Sequence, residues 1–241
     1  MADFDARALA LNEELECGVR LVESGLHACR ELVPPGDDYY TPLFLLSNGF
    51  ERLLKAAVCY ALLEEFGDYP TAGGWKRKWW QTHSLQALLA NLLELADMPD
   101  AHGRAVLSRV DDEEAVLCRI WRVLEQQSVA DAGRYHTLNV VLSARRLVHK
   151  GRLDPAYEWQ QIETDLAGRV ILAGQVTPDE VGMDRAYSLA ASRIADEVGW
   201  FAWSIARMFK KWSLGQEAWL FSDVVQPLLA HEPPRRLPSS Q

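Results

Sequence analysis

Four polar residues in the otherwise apolar segment Thr41 to Phe66 have the types and spacing of a binding or catalytic site. On a helix that turns about 100° per residue they fall within one narrow stripe: Asn48, Glu51, Arg52 and Lys55. The other faces are almost entirely apolar, which is typical of a buried helix. Because an unpaired buried charge costs roughly several kcal/mol, these side chains must find partners or line a polar cleft.

Two interpretations of this stripe remain open. The cationic groups Arg52 and Lys55, with Asn48 and Glu51, would bind an anionic ligand. Alternatively, Glu51 forms an ion pair with Arg52 or Lys55 at short helical spacing, at the floor of a cleft.

Histidine supplies a second kind of chemistry, since its side chain exchanges protons near neutral pH. His83 is placed at a helix start, either as a general acid or base or as a donor to a backbone carbonyl in a packed turn. The densest polar cluster in the second half of the chain comprises Arg134, Tyr135, His136 and Asn139. In an extended segment Arg134 and His136 share a face and suit phosphate or base recognition, whereas in a helix they point apart. The alternative is a structural turn with Tyr135 buried.

The loop from Gly67 to Gln81 combines basic and aromatic residues. Lys76, Arg77 and Lys78 lie between tryptophans in the run Trp75 to Trp80. Cations that contact phosphates and rings that stack on bases are what an RNA-binding loop uses. Rings that bury themselves and hold the loop on the domain are the alternative. The formal net charge of −9 restricts any nucleic-acid contact to such a local patch.

Composition limits the class of protein. The hydrophobic fraction of 49% over 241 residues excludes a disordered chain and is enough for a substantial core. No apolar run reaches the ~18 residues of a membrane span, and the polar, acidic N-terminus is not a signal peptide, so we expect a cytoplasmic protein. The four cysteines occur singly, with no zinc-ligand spacing, which indicates reduced core thiols and no metal site or cofactor.

Apolar spacing and capping residues predict a helical chain. The predicted helices are Phe4–Val33, Thr41–Phe66, His83–Ala96 with Thr82 as N-cap, a short segment after Pro99, Asp112–Val129 with acids in its first turn, Asp154/Pro155–Leu166, a long helix from Thr177-Pro178-Asp179-Glu180 through Trp212, and Gln216–Ala230. Residues 131–151 suit a helix or a buried strand, and irregular structure followed by helix is favoured.

We therefore expect an all-α fold, an antiparallel helical bundle with additional long C-terminal helices. A single domain covers 1–230, with a core of about 4–170 and a helical extension at 177–230, followed by a disordered tail at 231–241. The long helix is expected along the outside of the bundle or at a dimer face.

Four short pieces follow one another as LLSNGFERLLKA, THSLQALL, GRYHTLNVVL and DPAYEWQQIE, over roughly residues 41–165. Asn48 to Lys55 matches a "gly-x-glu-x-leu-leu-lys" helix, and Thr82 to Leu85 matches a "gly-his-asp-leu" helix start. This order resembles the helical HEPN superfamily of prokaryotic toxin, defence and nucleotidyltransferase-associated proteins. The resemblance implies an antiparallel helix bundle, frequent dimerisation and, in many members, metal-independent RNA cleavage.

The chain departs from the family at its catalytic pair, an arginine followed after four to six residues by a histidine at a dimer cleft. Arg145 and His149 are spaced too closely for this pattern. Arg20 and His27 have six residues between them and share a side of the first helix, but that side is opposite its apolar stripe and Leu21 replaces the usual polar residue. A solvated face is the alternative interpretation of Arg20 and His27.

These patterns predict a cytoplasmic HEPN-like protein, a homodimer that recognises RNA or a nucleotide in a prokaryotic stress or phage-defence role. As an enzyme it would cleave RNA without a metal ion: a histidine handles the proton of the attacking 2′-hydroxyl, and an arginine stabilises the charged phosphate. The candidate catalytic residues are His83, Arg134 and His136, with Arg52 and Lys55 in support.

A non-catalytic helical module is the alternative function. It would bind a partner protein through the long C-terminal helix, and an exposed Trp200, Trp203 or Trp212 would favour this interpretation. A third interpretation is a small-molecule pocket lined by Asn48, Glu51 and Arg52.

Overall fold

The computed structural model describes residues 6–32, 38–70, 82–129, 154–235 and 237, and within these ranges the regular structure is entirely helical. Its α-helices, in chain order, are α1 Ala6–Arg30, α2 Tyr40–Phe66, α3 Leu85–Leu95, α4 Ala101–Leu107, α5 Val116–Ser128, α6 Pro155–Leu172, α7 Glu180–Lys210 and α8 Gln216–Leu220. Two 3-10 helices cover Ser108–Val110 and Pro227–His231. The predicted all-α class is confirmed. No helix among the described residues is long and apolar enough to cross a membrane.

Some helix starts differ from the prediction. Ser84, not Thr82, caps α3, because its Oγ accepts from the Ala87 N–H at 3.1 Å, the spacing that an N-cap requires. The Thr82 hydroxyl instead accepts from the Ser84 N–H at 3.1 Å, so the helix begins at Leu85 and His83 precedes it. The Asp154 cap with proline at the start of α6 is confirmed.

The ends of other helices also differ. The acids predicted in the first turn of α5 precede that helix, because Asp112 accepts from the backbone N–H groups of Glu114 and Ala115 and closes a turn. α6 continues to Leu172 instead of ending at Leu166. α8 ends at Leu220 and not at Ala230: turns follow it, and the next helical segment starts at a proline, which cannot donate a helical hydrogen bond.

The long helix α7 departs in one part from the outer position that the sequence predicted. Every residue from Gly199 to Ala206 is buried, so this part of α7 is enclosed on all sides. The segment after the last 3-10 helix also differs at its start from the predicted disordered tail, since Pro233 is buried and its carbonyl lies 3.3 Å from His102 Nε2.

The chain divides into two compact units. Unit 1 comprises Met1–Glu23, Asn48–Ser108 and Gly199–Pro238, and unit 2 comprises Ser24–Ser47, Arg109–Val198 and Ser239–Gln241. Three of the dividing points fall within α1, α2 and α7, and a fourth lies in the 3-10 helix Ser108–Val110. The prediction of one domain over 1–230 stays a prediction.

In unit 1, glycines bring α1 and α2 unusually close. A Cβ on Gly49 would lie 2.8 Å from the Val22 backbone nitrogen, and one on Gly18 would lie 2.9 Å from that of Leu53. Only glycine permits backbones to approach this closely. The contact fixes the rotation of α2 about its own axis, so Glu51, about 200° around from Gly49, faces away from α1.

Aromatic side chains complete the core on this unit. Phe50 meets Phe201 edge to face with centroids 5.3 Å apart, and Tyr60 meets Phe209 in the same way at 5.8 Å. These contacts join α2 to the buried half of α7.

Unit 2 contains the packing of α5 on α6 and two buried polar contacts. The Tyr39 hydroxyl donates to Glu163 at 2.9 Å. Arg109 donates to both oxygens of the fully buried Glu197, at 2.6 and 3.2 Å. Burial raises the pKa of the Glu197 carboxyl, and the charges of Arg193 and Arg109 together with these hydrogen bonds offset part of that cost.

Candidate functional site

Three of the predicted site residues meet in unit 1. Oε1 of Glu51 accepts from Lys55 Nζ at 2.9 Å and lies 2.9 Å from His83 Nδ1. We call Glu51, Lys55 and His83 the Glu51 cluster. Lys55 follows Glu51 by four residues on α2, so the two side chains are neighbours on the helix surface. His83 arrives through the turn before α3, which is held by the Thr82 and Ser84 hydroxyls.

Exposure increases across the Glu51 cluster from its carboxylate to its imidazole. The side chains of Glu51, Lys55 and His83 are 10%, 19% and 46% exposed. Burial alone would raise the pKa of Glu51, but hydrogen bonds and charge from Lys55 and then His83 hold that pKa below its ordinary value. Glu51 is therefore ionised at neutral pH and accepts from both neighbours.

An ionised carboxylate only accepts hydrogen bonds, so it fixes the tautomer of the imidazole beside it. Nδ1 of His83 carries the proton that faces Glu51. In the neutral ring Nε2 then carries the lone pair, on a side chain that is nearly half exposed. This is the arrangement of a carboxylate-oriented general base.

The other described histidines are engaged through the opposite nitrogen. Nε2 of His27 contacts Glu31, Nε2 of His231 contacts Glu23, and Nε2 of His102 contacts the Pro233 carbonyl. Among the histidines that the structure describes, His83 alone is held through Nδ1. It is thus the one whose Nε2 makes neither a hydrogen bond nor an ion pair within the described ranges.

The remaining residues of the polar stripe have separate places. Arg52 donates to Glu14 of α1 at 2.6 Å and is not part of the Glu51 cluster. Asn48 is half-buried on the same helix. The ion-pair interpretation of the stripe is confirmed for Glu51 with Lys55 and not for Glu51 with Arg52.

Arg20 and His27 lie on the solvated face that their spacing left as an alternative. Both side chains are more than 70% exposed, and each pairs with an acid four residues away, Arg20 with Glu16 and His27 with Glu31. This exposure agrees with the solvated-face interpretation of Arg20 and His27.

The other predicted site residues lie outside the described residues. These are Lys76, Arg77 and Lys78 in the first loop, Arg134 and His136 in the later cluster, and the pair Arg145 and His149. Their predicted roles stay predictions. Among the described residues, no three or more His, Cys, Asp or Glu side chains converge as metal ligands would.

A pair of tryptophans that the sequence only partly indicated forms an exposed feature of unit 1. Trp212 stacks on Trp219 with centroids 4.9 Å apart, and the two side chains are 53% and 41% exposed. Trp200 and Trp203, the other two tryptophans considered at the C-terminal helix, are buried.

Trp212 also adopts a backbone conformation that favours glycine, with φ at +64°. It occupies the position after the end of α7 where the chain reverses, and the Ser213 N–H bonds back to the Met208 carbonyl at 3.2 Å. The usual sequence signal for this helix end is glycine, so no pattern in the sequence indicated the strain at Trp212.

No protein-family model, no curated protein and no solved structure matches this chain. The resemblance to the HEPN superfamily therefore stands on the motif residues alone and remains an expectation.

Proposed function

We propose that the Glu51 cluster is an acid–base site that recognises RNA or a nucleotide and cleaves RNA without a metal ion. The observation that carries the proposal is the single carboxylate oxygen that holds an imidazole and an ammonium group, each at 2.9 Å. Such a carboxylate orients the imidazole and stabilises its protonated form when it takes up a proton.

Each member has a role in strand cleavage. His83 Nε2 accepts the proton of the attacking 2′-hydroxyl, because this nitrogen carries the lone pair and lies on the exposed part of the cluster. Lys55 supplies positive charge for the anionic phosphate, the role that the sequence assigned to an arginine. Glu51 holds both groups and touches no substrate atom.

The resemblance supports the same biological setting. The two best-matching motifs, Asn48 to Lys55 and Thr82 to Leu85, supply all three members of the Glu51 cluster. Gly49 of the first motif has a packing role against α1. A cytoplasmic HEPN-like protein with a prokaryotic stress or phage-defence role is the proposed context.

The test is cleavage of end-labelled structured and unstructured RNA in EDTA. His83→Ala is expected to lower the rate by about 10²–10⁴-fold through loss of the general base. Lys55→Met and Glu51→Gln lower it less, because each leaves Nε2 in place. His27→Ala, an exposed histidine paired with a glutamate, is the matched control and leaves the rate unchanged.

Arg134→Ala and His136→Ala belong in the same assay, since the sequence also predicts catalytic roles for them. No cleavage by the wild-type protein at high concentration, or cleavage that His83→Ala does not slow, contradicts the proposed ribonuclease activity.

A second candidate function, a non-catalytic interaction module that self-associates, is supported by the exposed stack of Trp212 on Trp219. Large aromatic side chains anchor interface cores. Trp212 also adopts a left-handed backbone conformation that is unfavourable for its side chain, and such strained residues cluster at functional sites. The oligomeric state tests this candidate.

A further inference from the structure

The chemistry of the Glu51 cluster is not limited to proton transfer, because an oriented imidazole whose outer nitrogen carries the lone pair of the neutral ring is also a nucleophile. We propose that His83 is a phosphoryl-acceptor site, on which Nε2 takes a phosphoryl group from a small activated donor of the phosphoramidate class. The inference rests on the geometry of the cluster and does not require RNA to be its ligand.

Glu51 determines which ring nitrogen of His83 can react. Glu51 binds Nδ1 of His83 and so directs the lone pair to Nε2. The carboxylate also stabilises the positive charge that the ring gains when Nε2 forms a fourth bond. His102 and His231 each engage Nε2 in a hydrogen bond, and Nε2 of His27 is paired with Glu31, so this nitrogen is not available on them without loss of a contact.

A positive charge lies close to the His83 ring. Lys55 Nζ and His83 Nδ1 bond to the same Glu51 oxygen, which brings the ammonium within about 6 Å of the imidazole. Lys55 is mostly enclosed, so its charge is screened less than that of a surface lysine. A phosphoryl group on Nε2 carries negative charge, and the Lys55 ammonium offsets the repulsion between that group and the Glu51 carboxylate.

The His83 side chain is accessible from solvent. Nearly half of the His83 side chain is exposed, in contrast to Glu51 and Lys55 beneath it. A donor of a few atoms therefore reaches Nε2 directly, while the two charged groups remain in the protein.

The transfer is balanced with no further reactant. Nε2 of His83 attacks phosphorus and forms the N–P bond with its lone pair. The P–N bond of the donor, which reacts in its N-protonated form with three hydrogens on nitrogen, breaks, and ammonia leaves with that electron pair. The Nδ1 proton stays in the hydrogen bond to Glu51, so the product is a phosphorylated imidazolium beside a carboxylate.

The experiment incubates the full chain with potassium phosphoramidate at neutral pH and follows the mass of the intact protein and of its peptides over time. His83 is expected to gain a phosphoryl group at least about ten times faster than His27, which is more exposed and is the internal control. Phosphorus NMR identifies the substituted nitrogen, and the Nε2 isomer is expected at His83.

Two variants show whether the cluster causes the selectivity. Glu51→Gln keeps the shape of the side chain but removes its charge, and is expected to slow phosphorylation of His83 about tenfold. Glu31→Gln, at the carboxylate that pairs with His27 on α1, is the matched control and leaves the rate at His83 unchanged. Circular dichroism establishes that each variant is folded.

Equal rates at His83 and His27 in the wild-type protein overturn the proposal, and that measurement needs no variant. An unchanged rate in folded Glu51→Gln also overturns it. Phosphorylation of His83 in a protein that cleaves no RNA supports this inference and removes the ribonuclease proposal, whereas RNA cleavage without selective phosphorylation does the reverse.

Discussion

Glu51 ties the charge of its cluster to pH. The pKa of Glu51 in the folded protein is below the ordinary glutamate value. The carboxylate therefore contributes its full stability at pH values above the ordinary glutamate pKa, and this stability is lost as the pH falls through the lowered pKa of the folded state. The physical cause is the pair of donors, Lys55 and His83, that favour the ionised carboxylate over the neutral one despite its burial.

We expect Glu51→Gln to lower the free energy of unfolding by about 1.5–3 kcal/mol at neutral pH, the range for a hydrogen bond to a charged group. The difference from wild type should shrink in acid, as the wild-type carboxyl becomes protonated. Urea unfolding of both proteins between pH 7 and pH 3 measures it. Glu31→Gln, on the exposed partner of His27, is the control, and a Glu51→Gln difference that is constant with pH contradicts the assignment.

At the residue scale, the sequence indicated the members of the Glu51 cluster but not their meeting. The stripe on α2 named Glu51 and Lys55, and the helix start named His83. Their contact spans 32 positions of sequence and depends on the path of the chain between α2 and α3, which no local pattern encodes. Arg52 belongs to the same stripe, but its guanidinium donates to Glu14 on α1 and is not part of the Glu51 cluster.

At the scale of elements, the close approach of α1 and α2 decides which face of α2 carries the site. Gly49 meets backbone atoms of Val22, and backbone yields less readily than the end of a flexible side chain. Any side chain at this position therefore separates or rotates the two helices, and it moves Glu51 with them.

Gly49→Ala is expected to destabilise the protein by about 1–3 kcal/mol through overpacking. Gly168→Ala is the matched control: this glycine lies inside α6, where an added Cβ meets nothing within 4 Å, and the change should stabilise by up to about 1 kcal/mol through helix propensity. Thermal or urea unfolding compares the two variants. Equal effects of the two substitutions would show that the close helix contact does not constrain α2.

The elements also show where local sequence signals compete. Thr82 and Ser84 are both good capping residues, and only the three-residue distance to Ala87 selects Ser84. Asp112 starts a turn where acidic residues before an apolar pattern suggested a helix. At the end of α7, Trp212 adopts the left-handed conformation that is usually found at a glycine, so the sequence carries no glycine signal there.

At the scale of the whole molecule, the sequence predicted the all-α class from apolar periodicity, which depends on local spacing alone. It did not predict the division into two units, because each unit assembles segments that are far apart in the chain. The sequence also placed the buried part of α7 on the outside. An apolar stripe shows only one face of a helix and does not show which elements cover its other faces.

Self-association belongs to this scale as well. If the exposed indoles form an interface between two copies, Trp212→Ala and Trp219→Ala should shift the protein from dimer to monomer in sedimentation at micromolar concentration, with a loss of about 2 kcal/mol or more per hot-spot side chain. Leu172→Ala, at an exposed apolar residue of α6, is the control and leaves the distribution unchanged. A wild-type protein that sediments as a monomer contradicts this candidate.

The composition of unit 1 has a consequence for the order in which the chain is made. Glu23 binds His231 across 208 positions of sequence, and Phe50, the neighbour of Glu51, packs on Phe201. A ribosome produces the Glu51 cluster well before Phe201 and His231, which pack on α2 and α1. The site therefore lacks this support when its own residues are made, and the nascent protein acquires any activity only after residues 199–235 have left the exit tunnel and folded back.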